Sequence, residues 1–386
     1  MNMRLFHHND IKYLLLIYVA AAAMIFLYGR IDRSAQIFST SPDIRFYRSM
    51  AQASPHLATD VPRPYAYRIL APYLAGLLPF ADTVAFYFCS IVAFIGLVGI
   101  LYAFLRYSGI NAACAALTTI LYILNRSLSG FAIWEYFRLD DLLSFIEIIA
   151  LFWTMEKQRW LAFSLILAIG ALTRETPMVI IPVAFVFIAE RHTIKHDLKK
   201  LLLAVTPSIV IFFVLRALVF ADGGFTFAES FLNSVPKVAF PATWYRIIIN
   251  AWIPMSFLPF IFFDRTVAFF RGKKYAAVFL LLVTVSVFFG GDNERLIAPA
   301  FAIVCLLYGT ILQEELKISF PASSILLGCA FLTTINHLFA RYPVPRSATI
   351  IISLGATAIA TLYLLWMKQR GRGKASLLAA EKRETY

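Results

Sequence analysis

Long apolar runs separated by short charged connections form the dominant pattern of this 386-residue chain. Runs near or above about 18 apolar residues, the length that crosses a hydrocarbon core of about 30 Å, predict transmembrane helices. We predict an all-α, polytopic transmembrane bundle of about twelve spans, within a range of roughly ten to thirteen. The predicted spans cover residues 12–29, 82–105, 110–125, 139–155, 160–173, 177–190, 200–221, 247–264, 275–290, 296–313, 319–338 and 348–367.

One short apolar stretch decides on which side of the membrane each later loop lies. The stretch Ile69–Leu78 is too short to cross and contains Pro72, so we interpret it as an interfacial or re-entrant helix. With the N-terminus inside, the lysine-rich connections then fall on the cytoplasmic side, as the positive-inside rule requires, and only Lys237 among the lysines lies outside. We therefore predict cytoplasmic termini and a bacterial inner-membrane protein. Its single bundle domain covers 1–367, and a basic cytoplasmic tail covers 368–386.

Composition supports a membrane protein and removes other classes. The chain is 60% hydrophobic and only 15% charged, which is too much apolar surface for a water-soluble core of this size. Its net charge of +13 follows from topology, because the chain lacks the soluble basic face of a nucleic-acid binder. Its four cysteines all lie inside apolar runs without the paired spacing of a metal or redox site, so we interpret them as packing residues.

The predicted outer ends of the spans hold the unusual polar residues. The first outer loop, 30–68, with short amphipathic helices, carries Asp43, which could act as a base or simply cap the helix that follows it. The loop's arginines, including Arg45 and Arg68, suit bidentate binding of phosphate or carboxylate, although headgroup contact and snorkelling are alternatives.

Two adjacent carboxylates begin the span near residue 139. Asp140 and Asp141 point about 100° apart on a helix, so we expect that they do not face the same partner. Glu147, about two turns further along, would be expensive against lipid and is expected to point into the bundle.

A charged break interrupts the apolar stretch from Trp160 to Ala189. It contains Arg174 and Glu175, and each half of the stretch is about 14 residues, or roughly 21 Å of helix. This is shorter than the hydrocarbon thickness, so the turn could lie below the membrane surface, where substrate sites are built. A plain surface hairpin is the alternative.

A glycine-containing turn completes the outer set. Gly290 and Gly291 permit a tight turn that presents charged side chains at the bundle mouth. These side chains are Asp292, Glu294 and Arg295, and Arg341 adds positive charge on the same side.

Together these segments predict a cavity that is open to the outside and holds carboxylates and arginines. Such a cavity suits removal of a proton from an acceptor hydroxyl while a phosphate leaving group is held. The chain has no G-x-x-x-x-G-K-[ST], G-x-S-x-G or H-E-x-x-H motif, so an ATP-driven pump, a serine hydrolase and a zincin lack support.

The layout resembles the GT-C superfamily of membrane glycosyltransferases, which use polyprenyl-phosphate-linked sugars. In that superfamily an essential acidic residue lies near the start of the first outer loop, and Asp43 in Ser41-Pro42-Asp43-Ile44-Arg45-Phe46-Tyr47 occupies that place. The segments Tyr67–Pro72, Leu172–Thr176 and Gly291–Arg295 also resemble uncharacterised bacterial membrane proteins grouped with these enzymes.

The resemblance implies transfer of a sugar from a polyprenyl-phosphate carrier to a glycan, lipid or protein acceptor of the cell envelope. Asp43 would be the base, and Arg68, Arg174 and Arg295 would bind the lipid phosphate. Many members carry two acids where this chain has Asp43 alone, so a divalent metal is not firmly implied, and no other cofactor is expected. A secondary transporter or flippase for lipid-linked sugars and a non-catalytic polysaccharide assembly or export partner remain alternatives, neither of which uses nucleic acid.

Overall fold

A computed structural model describes residues 8–28, 42–58, 60–125, 127–128, 131–190, 194–219, 227–290, 292–315, 320–334 and 345–384. Within these ranges the chain forms helices and turns and no β-strand, which confirms the all-α prediction. The helices are α1 (His8–Tyr28), α2 (Pro42–Ala53), α3 (Leu70–Gly76), α4 (Asp82–Tyr107), α5 (Ala112–Ile123), α6 (Phe131–Trp134), α7 (Leu139–Glu156), α8 (Trp160–Thr173), α9 (Ile180–Glu190), α10 (Ile194–Leu218), α11 (Phe227–Val238), α12 (Pro241–Trp244), α13 (Leu258–Ile261), α14 (Phe263–Gly272), α15 (Lys274–Ser286), α16 (Asn293–Ile297), α17 (Phe301–Glu315), α18 (Phe320–Thr334) and α19 (Arg346–Glu384).

Helices of membrane-crossing length confirm that the chain is a membrane protein. Among the described residues, five segments are long and apolar enough to cross: Asp10–Tyr28, Asp82–Tyr107, Asp197–Leu218, Asn293–Glu315 and Ser347–Arg370. A sixth is the pair Phe263–Gly272 and Lys274–Phe289, which bends by 105° at the break between its two helices. Four shorter apolar helices accompany them: Ala112–Ile123, Trp160–Thr173, Thr176–Glu190 and Pro321–Thr334.

The predicted span 247–264 is not a continuous helix. The chain there forms a π-helical turn over Tyr245–Ile249, a 3₁₀ turn over Asn250–Trp252 and the short helix α13. Pro254 and Pro259 explain the interruption, because proline has no backbone N–H to donate and its ring clashes with the preceding turn. A hydropathy pattern does not register this effect.

Two predicted irregularities are present. The short helix α3 lies inside 69–78, as expected. The stretch 160–189 breaks after Thr173, where α8 ends, and continues through a 3₁₀ turn over Thr176–Val179 into α9. A Cβ atom on Gly170 would lie 2.8 Å from Cβ of Pro177, so only glycine permits this close approach across the break.

Helix α7 lies at the centre of the bundle and packs against α4 and α8. Its aromatic side chains connect it to later helices: the Phe152 ring lies 4.9 Å from that of Phe279 in α15, and the Phe145 ring lies 5.2 Å from that of Phe301 in α17. The four cysteines are free and lie within α4, α5, α17 and α18. Because α7 is central, its first turn brings Asp140 and Asp141 to the middle of one end of the bundle.

Candidate active site

Asp43 lies in the first turn of α2, not at the capping position before the helix. Its carboxylate accepts a hydrogen bond of 2.6 Å from the Tyr65 hydroxyl and lies 2.9 Å from Nη1 of Arg295. Burial alone would raise the pKa of Asp43, but the Arg295 guanidinium and the Tyr65 hydrogen bond outweigh it and hold the pKa below its ordinary value. Burial, and to a smaller extent the negative charge of Asp43, raises the pKa of Tyr65 to about 12, so this hydroxyl keeps its proton and donates it to the hydrogen bond.

Arg295, near the start of α16, joins three carboxylates. In addition to Asp43 it reaches Asp141 at 2.6 Å through Nε and Asp140 at 3.8 Å through Nη2. The expectation that Asp140 and Asp141 do not face the same partner is therefore wrong. A guanidinium carries five N–H donors in a planar fork, so its different edges can reach side chains that diverge from one helix.

Asp140 is fully buried and is reached from the first outer loop as well. It accepts a hydrogen bond of 3.0 Å from the Tyr47 hydroxyl and lies 3.5 Å from Nη1 of Arg68. The other side of the Arg68 guanidinium lies 3.1 Å from Glu175, so Arg68 connects the acid of α7 to the break after α8.

The break after α8 is part of the same network. Arg174 is only 6% exposed and forms an ion pair with Asp141, so the plain surface hairpin considered from sequence is wrong. Glu175 lies 3.2 Å from Nη2 of Arg216 in α10. Burial would raise the pKa of Glu175, but Arg68, Arg174 and Arg216 together lower it.

The outer rim of the network consists of two further pairs. Arg138 lies 3.1 Å from Asp292, whose carboxylate also caps α16, and it contacts Glu135. Glu294 accepts a hydrogen bond of 2.9 Å from the Asn250 amide and lies 3.7 Å from Nε of Arg246. The Arg246 side chain is 55% exposed, so its charge is far less satisfied by the protein than the charge of Arg295.

A cavity of about 990 Å³ opens beside this network. Its polar side carries Ser127, Trp134, Arg138, Asp141, Tyr245, Arg246, Asn250, Asp292, Glu294 and Arg295. Its other walls are mainly apolar and include Leu128, Phe145, Ile249, Ile253, Phe257, Ala298, Ile350, Leu354, Ala358 and Leu362. Charged groups and apolar walls in one cavity suit a ligand with a charged head and a hydrocarbon tail.

Helix α19 forms one long wall of the cavity. The lining residues Ile350 to Leu362 extend over roughly 18 Å at about 1.5 Å of rise per residue. The hydroxyls of Thr357 and Thr361 also line it, but each donates a hydrogen bond of 2.8 Å to a carbonyl one turn earlier in the helix. Because these hydroxyls are satisfied within the helix, the wall is suited to a hydrocarbon chain.

Most of the residues proposed from sequence lie in one continuous cluster. Asp43, Arg68, Asp140, Asp141, Arg174, Glu175 and Arg295 are linked by the contacts above, and Asp292 and Glu294 lie beside the cavity. Arg45 is exposed on α2 and forms no ion pair with another described residue. Arg341 lies outside the described residues.

Sequence reasoning missed several members of the cluster: Tyr47, Tyr65, Arg138, Arg216, Arg246 and Asn250. Arg216 is a charge inside a long apolar helix, a signal that could have identified it. Arg246 and Asn250 lie in the segment interpreted as a continuous span, so their position at the cavity was hidden by that error. Across the described ranges, no group of three or more His, Cys, Asp or Glu side chains is arranged to hold a metal ion.

The fold is similar to that of ArnT in two crystal structures. The crystal structure of ArnT from Cupriavidus metallidurans bound to undecaprenyl phosphate matches with a TM-score of 0.54 over 94% of this chain and 78% of that chain, at 13% identity. The apo structure of ArnT matches with a TM-score of 0.54 over 93% of this chain and 76% of that chain, at 14% identity. The chain has the fold of ArnT. This likeness confirms the GT-C-like fold that the sequence resemblance implied.

Comparison of the amino-acid sequence with protein families and curated proteins identifies no relative. No protein-family model matches the chain, and no curated protein matches it significantly. At 13–14% identity the likeness to ArnT concerns the fold.

Proposed function

We propose that the protein is a membrane glycosyltransferase that moves a sugar from a polyprenyl-phosphate carrier to a cell-envelope acceptor. The observation that carries this proposal is the cavity, where arginines and carboxylates at one side meet a long apolar wall on α19. A polyprenyl phosphate has the same two parts, an anionic head and a hydrocarbon tail. The ArnT fold supports the proposal, since one ArnT crystal structure holds undecaprenyl phosphate.

The phosphate head would bind at the arginines that line the cavity. Three arginines line the cavity: Arg138, Arg246 and Arg295. Two others are absent from the lining, because Arg68 pairs with Asp140 and Arg174 pairs with Asp141 outside it. Arg246 is the most accessible of the three, because its side chain is 55% exposed and its distance to Glu294 is 3.7 Å. We therefore assign Arg246 and Arg295 to the phosphate, and Arg68 and Arg174 to the support of the acids.

Asp43 would act as the base. It is not among the residues that line the cavity, but it lies 2.9 Å from Nη1 of Arg295, which does line it. In the transfer, the acceptor oxygen forms a bond to the anomeric carbon of the sugar, and the bond from that carbon to the phosphate oxygen breaks. The leaving polyprenyl phosphate keeps the electron pair, and the acceptor proton passes to the Asp43 carboxylate. Arginine at the phosphate would stabilise the charge that grows on the leaving group.

Arg295 would couple the two halves of this reaction. In the free protein its guanidinium lies 2.9 Å from Asp43 and keeps that carboxylate a weak base. A lipid phosphate that attracts Arg295 competes with Asp43 for the same donors. Donor binding would thus weaken the ion pair and make Asp43 a stronger base only when the leaving group is in place.

The membrane orientation proposed here places the charged cluster at the non-cytoplasmic face and both termini in the cytoplasm. Its support is the distribution of lysines and arginines among the connections. If the shorter apolar helices also cross, the number of crossings rises towards the predicted figure of about twelve. An acceptor from the cell envelope would reach the cavity from outside.

The experiment compares Asp43→Asn with the wild type in sugar transfer from a polyprenyl-phosphate donor extract. We expect Asp43→Asn to lower the transfer rate by about 10²- to 10⁴-fold, because the proton acceptor is lost. The same variant should bind undecaprenyl phosphate a few-fold more tightly, because Arg295 no longer has Asp43 as a competitor. The matched control is Asp82→Asn, since Asp82 pairs with Arg48 at 3.3 Å and has no contact with Arg295.

Two results would count against the proposal. Equal transfer by Asp43→Asn and the wild type would remove Asp43 from the chemistry. A wild-type protein that transfers no sugar but moves a lipid-linked sugar across vesicles, with Asp43→Asn unchanged, would establish the transporter alternative.

A further inference from the structure

A second cavity, of about 920 Å³, lies at the opposite end of the same helices. Helix α7 has Asp140 near its start and Glu156 at its end, and it spans 18 residues, or roughly 27 Å. Glu156 lines this second cavity, whereas Asp141 lines the first. The second cavity is therefore separate from the candidate active site.

The two carboxylates of this cavity are already occupied by protein groups. Glu156 accepts a hydrogen bond of 2.5 Å from the Tyr275 hydroxyl and lies 3.6 Å from Nζ of Lys273. Glu190 accepts a hydrogen bond of 2.9 Å from the backbone N–H of Lys274. Both carboxylates therefore have a hydrogen-bond donor within the protein.

The cations of this cavity are in a different situation. Arg271 and Lys274 are exposed, and their side chains form no ion pair with any residue in the described ranges. Lys157 adds charge behind the wall, since its Nζ lies 4.5 Å from the centre of the Tyr107 ring, which lines the cavity. The lining thus carries three cations, Arg271, Lys273 and Lys274, against the two carboxylates Glu156 and Glu190, and its excess positive charge suits an anion.

Arg271 and Lys274 lie at the bend between α14 and α15, beside the start of an apolar helix. Lys274 is the first residue of the apolar helix α15, and α14 meets that helix at 105°. Phe263 at the start of α14 is 60% exposed, so this helix presents one large apolar side chain to its surroundings. An ideal Cβ on Gly272 would meet no atom within 4 Å, so the space between Arg271 and Lys273 is open.

We propose that this cavity binds the phosphate group of an anionic phospholipid. Arg271 and Lys274 would contact the phosphate, and the apolar side chains of Val186 and Phe187 in the lining would contact the start of the acyl chains. The site is independent of the proposed glycosyltransferase activity, because it needs neither Asp43 nor the first cavity. It would hold the bend of the α14–α15 pair against the membrane.

The test is native mass spectrometry of the purified full-length protein titrated with phosphatidylglycerol, phosphatidylcholine or inorganic phosphate. We expect phosphatidylglycerol to bind at least tenfold more tightly than phosphatidylcholine. The double variant Arg271→Gln/Lys274→Gln should lose about tenfold in phosphatidylglycerol affinity. The control Lys199→Gln/Lys200→Gln removes the same charge from α10, whose first residues lie at this end because Arg216, near its other end, contacts Glu175.

Each outcome decides the proposal. A loss in Arg271→Gln/Lys274→Gln with less than a twofold change in the control supports a defined lipid site. An equal loss in both variants would mean that general surface charge attracts the lipid, and an unchanged affinity would remove the cations from binding. If inorganic phosphate binds as tightly as the lipid and shows the same loss, the site takes a soluble phosphate and the lipid assignment is overturned.

Discussion

Helix α7 carries carboxylates at both ends, and their surroundings differ. At the first end Asp140 and Asp141 are buried, and Arg68, Arg174 and Arg295 surround them. At the second end Glu156 has Lys273 as its cation, and the Lys273 side chain is 34% exposed. Burying several charges carries a large desolvation penalty that pairing must offset, whereas a partly exposed pair such as Glu156 and Lys273 contributes less. The first end therefore depends on complete pairing and the second end does not.

Removal of one cation from each end is the strongest test of this contrast. We expect Arg295→Gln to lower the free energy of unfolding by about 3–5 kcal/mol, because three buried or nearly buried carboxylates lose their shared partner. Lys273→Gln should lower it by at most about 1 kcal/mol. Unfolding in mixed detergent micelles measures both values. Similar losses for the two variants would contradict the contrast.

The same pair of variants also separates stability from activity. At matched folded yield, Arg295→Gln should reduce sugar transfer by about 10²- to 10³-fold, as expected when a donor to a developing oxyanion is lost. Lys273→Gln should leave the transfer rate within about twofold, because it lies at the far end of α7.

The two cavities differ in their walls, and a bulky substitution in the first cavity tests this difference. Ala358→Trp places an indole on the α19 wall, so we expect undecaprenyl phosphate to bind about tenfold more weakly. Ile359→Trp is the matched control, because Ile359 is 54% exposed and is not among the residues that line the cavity. Lipid-binding titrations of both variants measure the effect. Equal affinities would show that the tail lies elsewhere.

A smaller effect concerns pH and the rim of the first cavity. Burial, only partly opposed by Arg138 and Arg295, raises the pKa of Glu135 from 4.5 to about 7. The folded state then holds a proton that the unfolded state has released between these values, so stability falls as pH rises from about 4.5 to 7. Glu135→Gln should make the stability curve flatter in this window.

The control for this pH effect comes from the other end of α7. Glu156→Gln should keep the wild-type slope, since Glu135 is still present. Thermal unfolding of the three proteins at several pH values measures the slopes, and an unchanged slope in Glu135→Gln would rule out Glu135 as its source.

The long helices could be predicted from sequence because a membrane-crossing helix is recognised mainly by the length of its apolar run. The predicted spans 82–105 and 348–367 end within three residues of the segments Asp82–Tyr107 and Ser347–Arg370. The span 247–264 was wrong because hydropathy counts side-chain polarity and ignores the backbone effect of Pro254 and Pro259.

The site was predictable in its members but not in its pairing. Charges such as Asp43, Arg68 and Arg174 stand out because they interrupt or flank apolar runs. Their partners could not be derived, since Asp43 and Arg295 are 252 residues apart and meet only through the packing of the whole bundle. Arg216 shows the same limit, because its sequence position does not reveal that it faces Glu175.

The contacts of Arg295 with three carboxylates from two earlier helices set an order for assembly in the membrane. Synthesis proceeds from the N-terminus, so Asp43, Asp140 and Asp141 enter the membrane before Arg295 has been made. Until then this part of the bundle carries carboxylates without that cation and cannot reach its final packing. A chain cut just before residue 295 would keep most of these helices and still lack the cation that joins Asp43, Asp140 and Asp141.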